Sequence, residues 1–349
     1  MVGFYELAEK ALLMENAGKK VIRLNVGDTN LPTPQCAIDA AIARIKSDKV
    51  GYGPAAGLPE LRKKIAEREN CDISNVVVGS GSKILLHGLL TILGKKSVIV
   101  NAPYWPAYRL ICNQLNLKIK ENNTKIEKKW ELSIPKFNSE DVMILCNPNN
   151  PTSTNYDERI VNETIENAEK NNATVILDEA YKGLSFKKMP QYENAIRIRS
   201  FSKEFNMEGW RLGYVVASKE IATKLTAFNQ ISTTCTPAFI QKAGFACLEN
   251  EKEILSANTK IWMERSLATQ SSLKKAKFEF TKPDAGIYIF TTHPDIDEKF
   301  VMKLLENEVV VAPGNEFGEN YKKFVRICIN QPEEIMSHAI RMMEKTLVS

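Results

Sequence analysis

The chain reads as an α/β protein: a largely parallel sheet with helices on both faces, followed by a smaller α+β unit. Three observations predict this. Short apolar runs recur at Val76-Val77-Val78, Val98-Ile99-Val100 and residues 142–145, 174–177 and 195–199, with helical patterns between several of them. Apolar strands alternating with helices indicate a parallel sheet buried on both faces. The residues with the most reactive chemistry follow those runs directly, at the strand ends where ligands of such sheets bind. After about residue 250 the alternation gives way to a long polar helix, then to short strands and helices in a different order.

Bulk properties narrow the function. A length of 349 residues suits roughly two domains. The hydrophobic fraction of 44% and charged fraction of 26% are those of an ordinary globular protein. The 47 basic and 42 acidic residues give a net charge of +5 without a dense basic run, which argues against a nucleic-acid partner. Seven cysteines stand singly, with no CxxC pair, as expected for reduced thiols in a cytoplasmic protein. Three histidines without close partners argue against a metal site. The amino-terminal segment carries charges where a signal peptide needs an apolar core, and no apolar run approaches membrane-spanning length.

In chain order, residues 4–17 form an amphipathic helix with Leu7, Ala11 and Met14 on one face. A strand at 21–24 enters the loop 25–34, where Thr33 reads as a helix cap and Pro34 as the first helical position. Ile38, Ala41, Ile42 and Ile45 give that helix its expected buried stripe. Residues 51–57 are too glycine-rich for a regular element, and a helix opens at Leu58-Pro59. The strand at 76–78 leads through Gly79-Ser80-Gly81-Ser82 into a helix from Lys83 to Leu93. Val161, Ile165 and Ala168 mark the apolar face of a later helix, and 212–217 adds a strand. The second unit comprises the long helix, strands at 278–280, 286–290, 309–311 and 324–329, and helices near 297–307 and at the end. No repeat or linker interrupts the chain. The expected division is a large domain over 32–250 and a small domain formed by 1–31 with 251–349.

The chemistry centres on residues 200–214. A lysine amine condenses with aldehydes, while hydroxyls and a guanidinium hold phosphate. Ser200, Ser202, Lys203 and Arg211 therefore suit an aldehyde cofactor bearing a phosphate, although the stretch alone reads equally as a surface turn with a solvated lysine. Asp178 ends an apolar strand, where a carboxylate can pair with a pyridine nitrogen, and Tyr181 lies within reach of a ring hydroxyl. Asn150 stands between Pro148 and Pro151, which stiffen its loop. Gly81, Ser82 and Lys83 open a helix whose free amides favour phosphate. Trp105 offers a stacking face with Tyr108 behind it, though an aromatic after a strand is more often core.

Taken together, these residues resemble the fold-type I pyridoxal-phosphate aminotransferases of class I/II, most closely their aspartate aminotransferase group. The resemblance covers nearly the whole chain in the right order, including Ala312-Pro313-Gly314-Asn315-Glu316-Phe317-Gly318 and Arg326. It implies a mostly parallel, seven-stranded-type sheet and reversible transfer of an amino group between an amino acid and a 2-oxo acid. By it, Lys203 holds pyridoxal 5'-phosphate as a Schiff base, and Asp178 and Tyr181 complete the catalytic set. Gly81, Ser82, Lys83, Trp105, Asn150, Ser200, Ser202 and Arg211 contact the cofactor. Arg326, Gly27 and Asn150 receive the substrate α-carboxylate. Tyr52 reaches the cofactor phosphate of a neighbouring subunit, which implies a homodimer with shared sites. Lys83 matches a lysine that reads a distal carboxylate in some members, and 230–234 resembles the same subgroup, so the expected substrate is aspartate- or glutamate-like. Histidinol phosphate is the main rival, although Ala312 stands where that group offers an arginine. Aromatic amino acids also remain open as substrates, and the same cofactor and residues would serve elimination or decarboxylation equally well. Ser153 departs from the family, which has glycine there.

Overall fold

The protein is described by a computed structural model covering residues 4–47 and 49–348; residues 1–3, where the charged amino-terminal segment begins, lie outside it. Helix α1 (Phe4–Asn16) buries Leu7 and Ala11 against Leu305 and Val310. Strand β1 (Ile22–Arg23) leads to helices α2 (Gln35–Ser47) and α3 (Pro59–Arg68). The next elements alternate: β2 (Val76–Gly79), α4 (Ser82–Leu93), β3 (Ser97–Ala102), α5 (Ala107–Gln114) and β4 (Lys118–Asn123). Then come β5 (Asp141–Cys146), α6 (Glu158–Lys170), β6 (Thr174–Asp178), β7 (Ile196–Ser200), α7 (Phe201–Glu204) and β8 (Gly213–Val216). Three helices follow, α8 (Lys219–Ser232), α9 (Ala238–Glu249) and the long α10 (Glu251–Lys275). The last part contains β9 (Glu279–Phe280), β10 (Tyr288–Thr292), α11 (Phe300–Glu306), β11 (Val309–Val310), β12 (Ala312–Pro313), β13 (Phe324–Cys328) and α12 (Glu333–Leu347).

One seven-stranded sheet runs in the order β2-β8-β7-β6-β5-β3-β4. The ladders among β4, β3, β5, β6 and β7 are parallel, whereas β8 is antiparallel to both its neighbours. The expectation of a mostly parallel α/β sheet is met. Its inner strands are buried along their length, which is why they read as continuous apolar runs. A four-stranded antiparallel sheet, β12-β13-β10-β9, and the parallel pair β1-β11 make up the rest. Cys146 pairs in register with Asp178, and Asp178 with Ile198. Asn150 in the loop after β5, Asp178 at the end of β6 and Lys203 in α7 just after β7 therefore emerge side by side. Among the described residues no helix is long and apolar enough to cross a membrane.

Two local expectations are corrected. Helix α2 begins at Gln35, not Pro34, with the Pro34 carbonyl accepting from the Ala37 amide at 3.0 Å. The Thr33 hydroxyl is diverted from capping: it donates to the Asn206 carbonyl and accepts from the Trp210 indole, each at 3.1 Å. The buried face of α2 is Ala37 and Ala41, packed with Ala243 and Cys247 of α9, where small side chains let two helices approach closely. Ile42 and Ile45 instead face outward, 45% and 52% exposed. Strand β4, Lys-Ile-Lys-Glu-Asn-Asn, is an addition that hydrophobic patterning misses, because an edge strand can be polar on both faces.

Beneath the strand ends lies a buried ionic network. Glu69 accepts from Arg197 at 2.7 Å and from the Tyr214 hydroxyl at 2.6 Å, with Arg199 at 3.5 Å. Glu204 accepts from Arg199 at 2.7 Å, Arg68 at 2.9 Å and the Gly183 amide at 2.8 Å. Burial opposes the Glu69 charge, but Arg199, Arg68, Tyr214 and Arg197 outweigh it and bring its pKa down to about 2. Its stabilisation is therefore present above the ordinary carboxyl pKa of 4.5 and is lost as pH falls towards 2. Glu69→Gln should destabilise the fold by about 3 kcal/mol at pH 7, since two guanidiniums lose a buried anion. Urea unfolding at a series of pH values should show the gap between wild type and variant closing on the acid side; a gap independent of pH would contradict the ionic account.

Candidate active site

A cavity of about 360 Å³ opens at the carboxyl ends of β5, β6 and β7. Its wall brings together Ser82, Lys83, Trp105, Asn150, Asp178 and Tyr181 with Ser200, Ser202, Lys203 and Arg211. Gly27, Gly81 and Arg326 adjoin it through Lys203, Arg211 and Asn150 respectively. Of the cofactor and substrate contacts expected from the sequence, Tyr52 stands apart, 90% exposed on the surface. A larger groove of about 860 Å³ lies elsewhere, lined in part by Phe186, Met263 and Phe280, and its wall includes none of the singled-out residues.

Lys203 lies in α7, whose Ser200 cap accepts from the Ser202 amide at 3.2 Å. The amine donates to the Gly27 carbonyl and sits 3.4 Å from Glu208 Oε1. Burial lowers its pKa, against the pull of the Glu208 carboxylate. A lysine so placed gives up its proton more readily than one in water, as nucleophilic amines require.

Asp178 faces the same cavity, 5% exposed. It accepts from the Tyr108 hydroxyl at 2.7 Å and the Ala180 amide at 3.2 Å. Burial raises its pKa, and these two bonds only partly offset that. Among the described residues it has no cationic partner. Tyr108 also meets Trp105 edge-on, with ring centroids 5.5 Å apart. The sequence placed Tyr108 as packing behind Trp105; its bond to Asp178 was missed, and the signal available was its position three residues on, in the first turn of α5.

On the opposite wall Asn150 joins two groups. Its Nδ2 donates to the Tyr181 hydroxyl at 3.2 Å, and its Oδ1 accepts from Arg326 Nη1 at 3.0 Å. Arg326 also donates to the Asn25 carbonyl at 2.6 Å, and its guanidinium lies 4.1 Å from the Tyr288 ring centroid and 5.0 Å from that of Phe317. Buried and sandwiched between aromatic faces, it has no carboxylate partner among the described residues. Tyr288, absent from the sequence reading, brings its hydroxyl to 3.2 Å from that of Tyr181. A Cβ on Gly27 would fall 1.8 Å from the Tyr288 hydroxyl oxygen, so only glycine fits there.

The third wall is a cradle for an anion. Gly81, at φ +93°, precedes the first residue of α4, and a Cβ on it would meet Arg211 Nη2 at 2.4 Å. Arg211 approaches the Ser202 hydroxyl at 3.5 Å, and its own backbone is left-handed, φ +56°. Lys83 Nζ lies 5.2 Å from the Trp105 ring centroid, and burial, then Arg211, lowers its pKa. The Arg211 guanidinium, the hydroxyls of Ser200 and Ser202 and a helix amino terminus facing one cavity favour a phosphate.

These walls fit pyridoxal phosphate. The uncompensated Asp178 carboxylate matches a protonated pyridine nitrogen, the Arg211–Ser202 corner matches a phosphate, and the buried Lys203 amine matches an aldehyde. Among the described residues no group of three or more histidine, cysteine or acidic side chains is arranged to hold a metal.

Comparison with known proteins agrees with this arrangement. The family model described as "Aminotransferase class I and II" matches residues 19–343. An aspartate aminotransferase of Thermococcus kodakarensis is 31% identical over 312 residues, covering 88% of this chain and 84% of its own. The crystal structure of an aspartate aminotransferase from Thermotoga maritima superposes with a TM-score of 0.93 at 27% identity, covering 100% of this chain and 98% of the other. An alanine aminotransferase from Pyrococcus furiosus superposes with a TM-score of 0.91, also at 27% identity, over 99% and 96% of the two chains.

Proposed function

The chain belongs to the class I and II aminotransferases, and on that premise we propose that Lys203 is its cofactor-bearing lysine and that its amino donor is aspartate or glutamate. It is a pyridoxal-phosphate-dependent transaminase whose substrates are an amino acid and a 2-oxo acid. The observation that carries the site assignment is the buried Asp178 carboxylate, without a cation among the described residues, across one cavity from the buried Lys203 amine. The cofactor supplies an aldehyde that condenses with amines and a ring that withdraws electrons from the substrate Cα. Asp178, its carboxylate fixed by Tyr108, would keep a proton on the ring nitrogen. Tyr181 and Asn150 would donate towards the ring oxygen, while Ser200, Ser202, Arg211 and the amides after Gly81 would hold the phosphate. Arg326, with Asn150 and Gly27, would clamp the substrate carboxylate and orient its Cα–H bond. Lys203 Nζ would take that proton from Cα and deliver it to the carbon that was the cofactor's aldehyde.

The direct test is one half-reaction: aspartate should turn the bound cofactor into its amine form and release the 2-oxo acid. Lys203→Ala should reduce this to a trace while the fold persists by circular dichroism. Ammonia release with the cofactor left in its aldehyde form would instead indicate elimination, and alanine or β-alanine with carbon dioxide would indicate decarboxylation.

Lys83 supports an acidic side chain in the substrate. It faces the cavity without an acidic partner among the described residues. Likeness alone does not choose the donor, since the aspartate and alanine aminotransferase structures are equally similar in sequence. A charged contact in a partly dehydrated pocket is worth about 2 to 4 kcal/mol, or roughly 30- to 1,000-fold. Lys83→Ala should lower kcat/KM for aspartate by that factor and leave phenylalanine nearly unchanged. An equal loss for both amino acids removes Lys83 as the specificity residue.

The homodimer with shared sites rests on Tyr52. It and Ile231 are 90% and 89% exposed. Their segments adjoin, because Asn229 Nδ2 donates to the Ala55 carbonyl at 3.2 Å. A tyrosine and an isoleucine this exposed suit a surface covered by a second copy. Mixing an inactive Tyr52 variant with an inactive Lys203 variant should restore activity through hybrid dimers that contain one intact site. Demonstrated subunit exchange without recovery would rule out sharing.

A further inference from the structure

We propose that Glu208 is a positioning residue for the free Lys203 amine, clamping its ammonium form to the loop that carries Gly27. This rests on the reading of Lys203 as the reactive lysine, but its own observations are separate. Glu208 Oε1 lies 3.4 Å from Lys203 Nζ and accepts from the Thr29 amide at 2.9 Å. One carboxylate oxygen thus touches both the lysine and the segment two residues beyond Gly27. Glu208 lines the cavity and is 23% exposed at its side chain. Its backbone carbonyl accepts from Arg211 Nη1 at 2.8 Å, so the residue also touches the anion cradle from its main-chain side.

A carboxylate beside an anion cradle is costly unless it is balanced, and here Lys203 and the Thr29 amide balance it. The arrangement has a purpose when the lysine is not bonded to the cofactor. A free amine on a flexible four-carbon stem loses its aim, and each proton it takes up creates a buried ammonium. Glu208 supplies both a docking point and a counter-charge. The other groups that act on Lys203 are Asp28 in loop 25–34 and Cys328 in β13. Cys328 does not supply the counter-charge, because burial pushes its thiol up to about 12, against Arg326 and Lys203. Asp178, Lys83 and Arg211 share the cavity wall but make no hydrogen bond or ion pair with the amine among the described residues. Asp28 acts on the amine more weakly than Glu208 and forms no ion pair with it among the described residues, so Glu208 is the carboxylate placed to set its proton affinity, in the sense of stabilising the ammonium.

The charge and the tether separate by substitution. Glu208→Gln keeps an oxygen for the Thr29 amide and removes the charge; Glu208→Ala removes both. The readouts use the full-length protein stripped of cofactor. Acetylation of Lys203 by trace acetic anhydride, followed by peptide mass spectrometry across pH, gives the midpoint of its deprotonation. Hydrogen exchange reports the Thr29 amide. Glu208→Gln should lower the Lys203 midpoint by about one pH unit, tenfold in proton affinity, with Thr29 exchange unchanged. Glu208→Ala should lower the midpoint similarly and speed Thr29 exchange at least tenfold. An unchanged midpoint in Glu208→Gln overturns the proposal, and unchanged Thr29 exchange in Glu208→Ala overturns the tether. Adding pyridoxal phosphate and borohydride to the same samples tests the underlying site reading independently: absence of a mass tag on the Lys203 peptide would sink that reading while leaving the midpoints interpretable.

Discussion

The Arg199–Glu204 pair is the contact on which the site depends. Lys203 lies in a helix of four residues, far too short to hold its shape by backbone bonds alone. Tertiary contacts hold it instead. Arg199, at the end of β7, grips Glu204, the residue after the lysine, and Arg68 and the Gly183 amide grip the same carboxylate. A Cβ on Gly183 would come 2.9 Å from Glu204, so the loop after β6 must also present a bare backbone there. Strand β7, helix α3 and the loop that follows Asp178 and Tyr181 therefore converge on one buried carboxylate beside Lys203. The acids and bases of this network are nearly all hidden from water, so each partner is committed to the others.

A second anchor joins the two main sheets. Arg326 belongs to the four-stranded sheet, yet it donates to Asn150 of the loop after β5 and to the carbonyl of Asn25. Tyr288, its neighbour in that sheet, supplies one face of the guanidinium and carries its own hydroxyl to Tyr181. The same few atoms thus tie both sheets and the amino-terminal loop to one point. A substrate carboxylate arriving there would bond to groups whose geometry is already set, which limits the entropy lost on binding.

The fold was largely legible because buried parallel strands must be apolar throughout, and because Gly, Pro and hydroxyl residues punctuate their ends. Strands β2, β3, β5, β6 and β7 fall where apolar runs placed them. What escaped reading was decided by tertiary choice. Thr33 had two uses for one hydroxyl, and the segment at Asn206 and Trp210 won it from the helix. The expected α2 stripe takes in Ile38, Ala41, Ile42 and Ile45, whereas the partner helix receives Ala37 and Ala41 and leaves Ile42 and Ile45 outside. Polar β4 is strand because β3 offers it an open edge, a fact carried by another segment. In the site, the clustering of Asp178, Lys203 and Arg211 was anticipated from separate motifs. Glu208 and Tyr288 were invisible because an isolated acid and a core-like tyrosine mean little until the chain brings them to Lys203 and Tyr181.

Ser153 shows how a local departure can be compensated. Its φ of +56° is a conformation glycine adopts freely, and a serine there costs on the order of 1 kcal/mol. The hydroxyl, however, donates to the Tyr288 carbonyl at 2.9 Å, a bond that glycine lacks and that contributes about 0.5–1.5 kcal/mol. The two effects nearly cancel in stability but not in placement. The Ser153 amide donates to the Asn149 carbonyl at 2.8 Å, and its carbonyl accepts from the Asp284 amide at 2.9 Å. The side-chain bond adds a direct link from the Asn150 loop to β10, beside the bonds that Ser153 and Asn155 make to Asp284 in the segment before it. Since Asn150 contacts both Tyr181 and Arg326, the serine exchanges backbone ease for a firmer link between the groups on that wall.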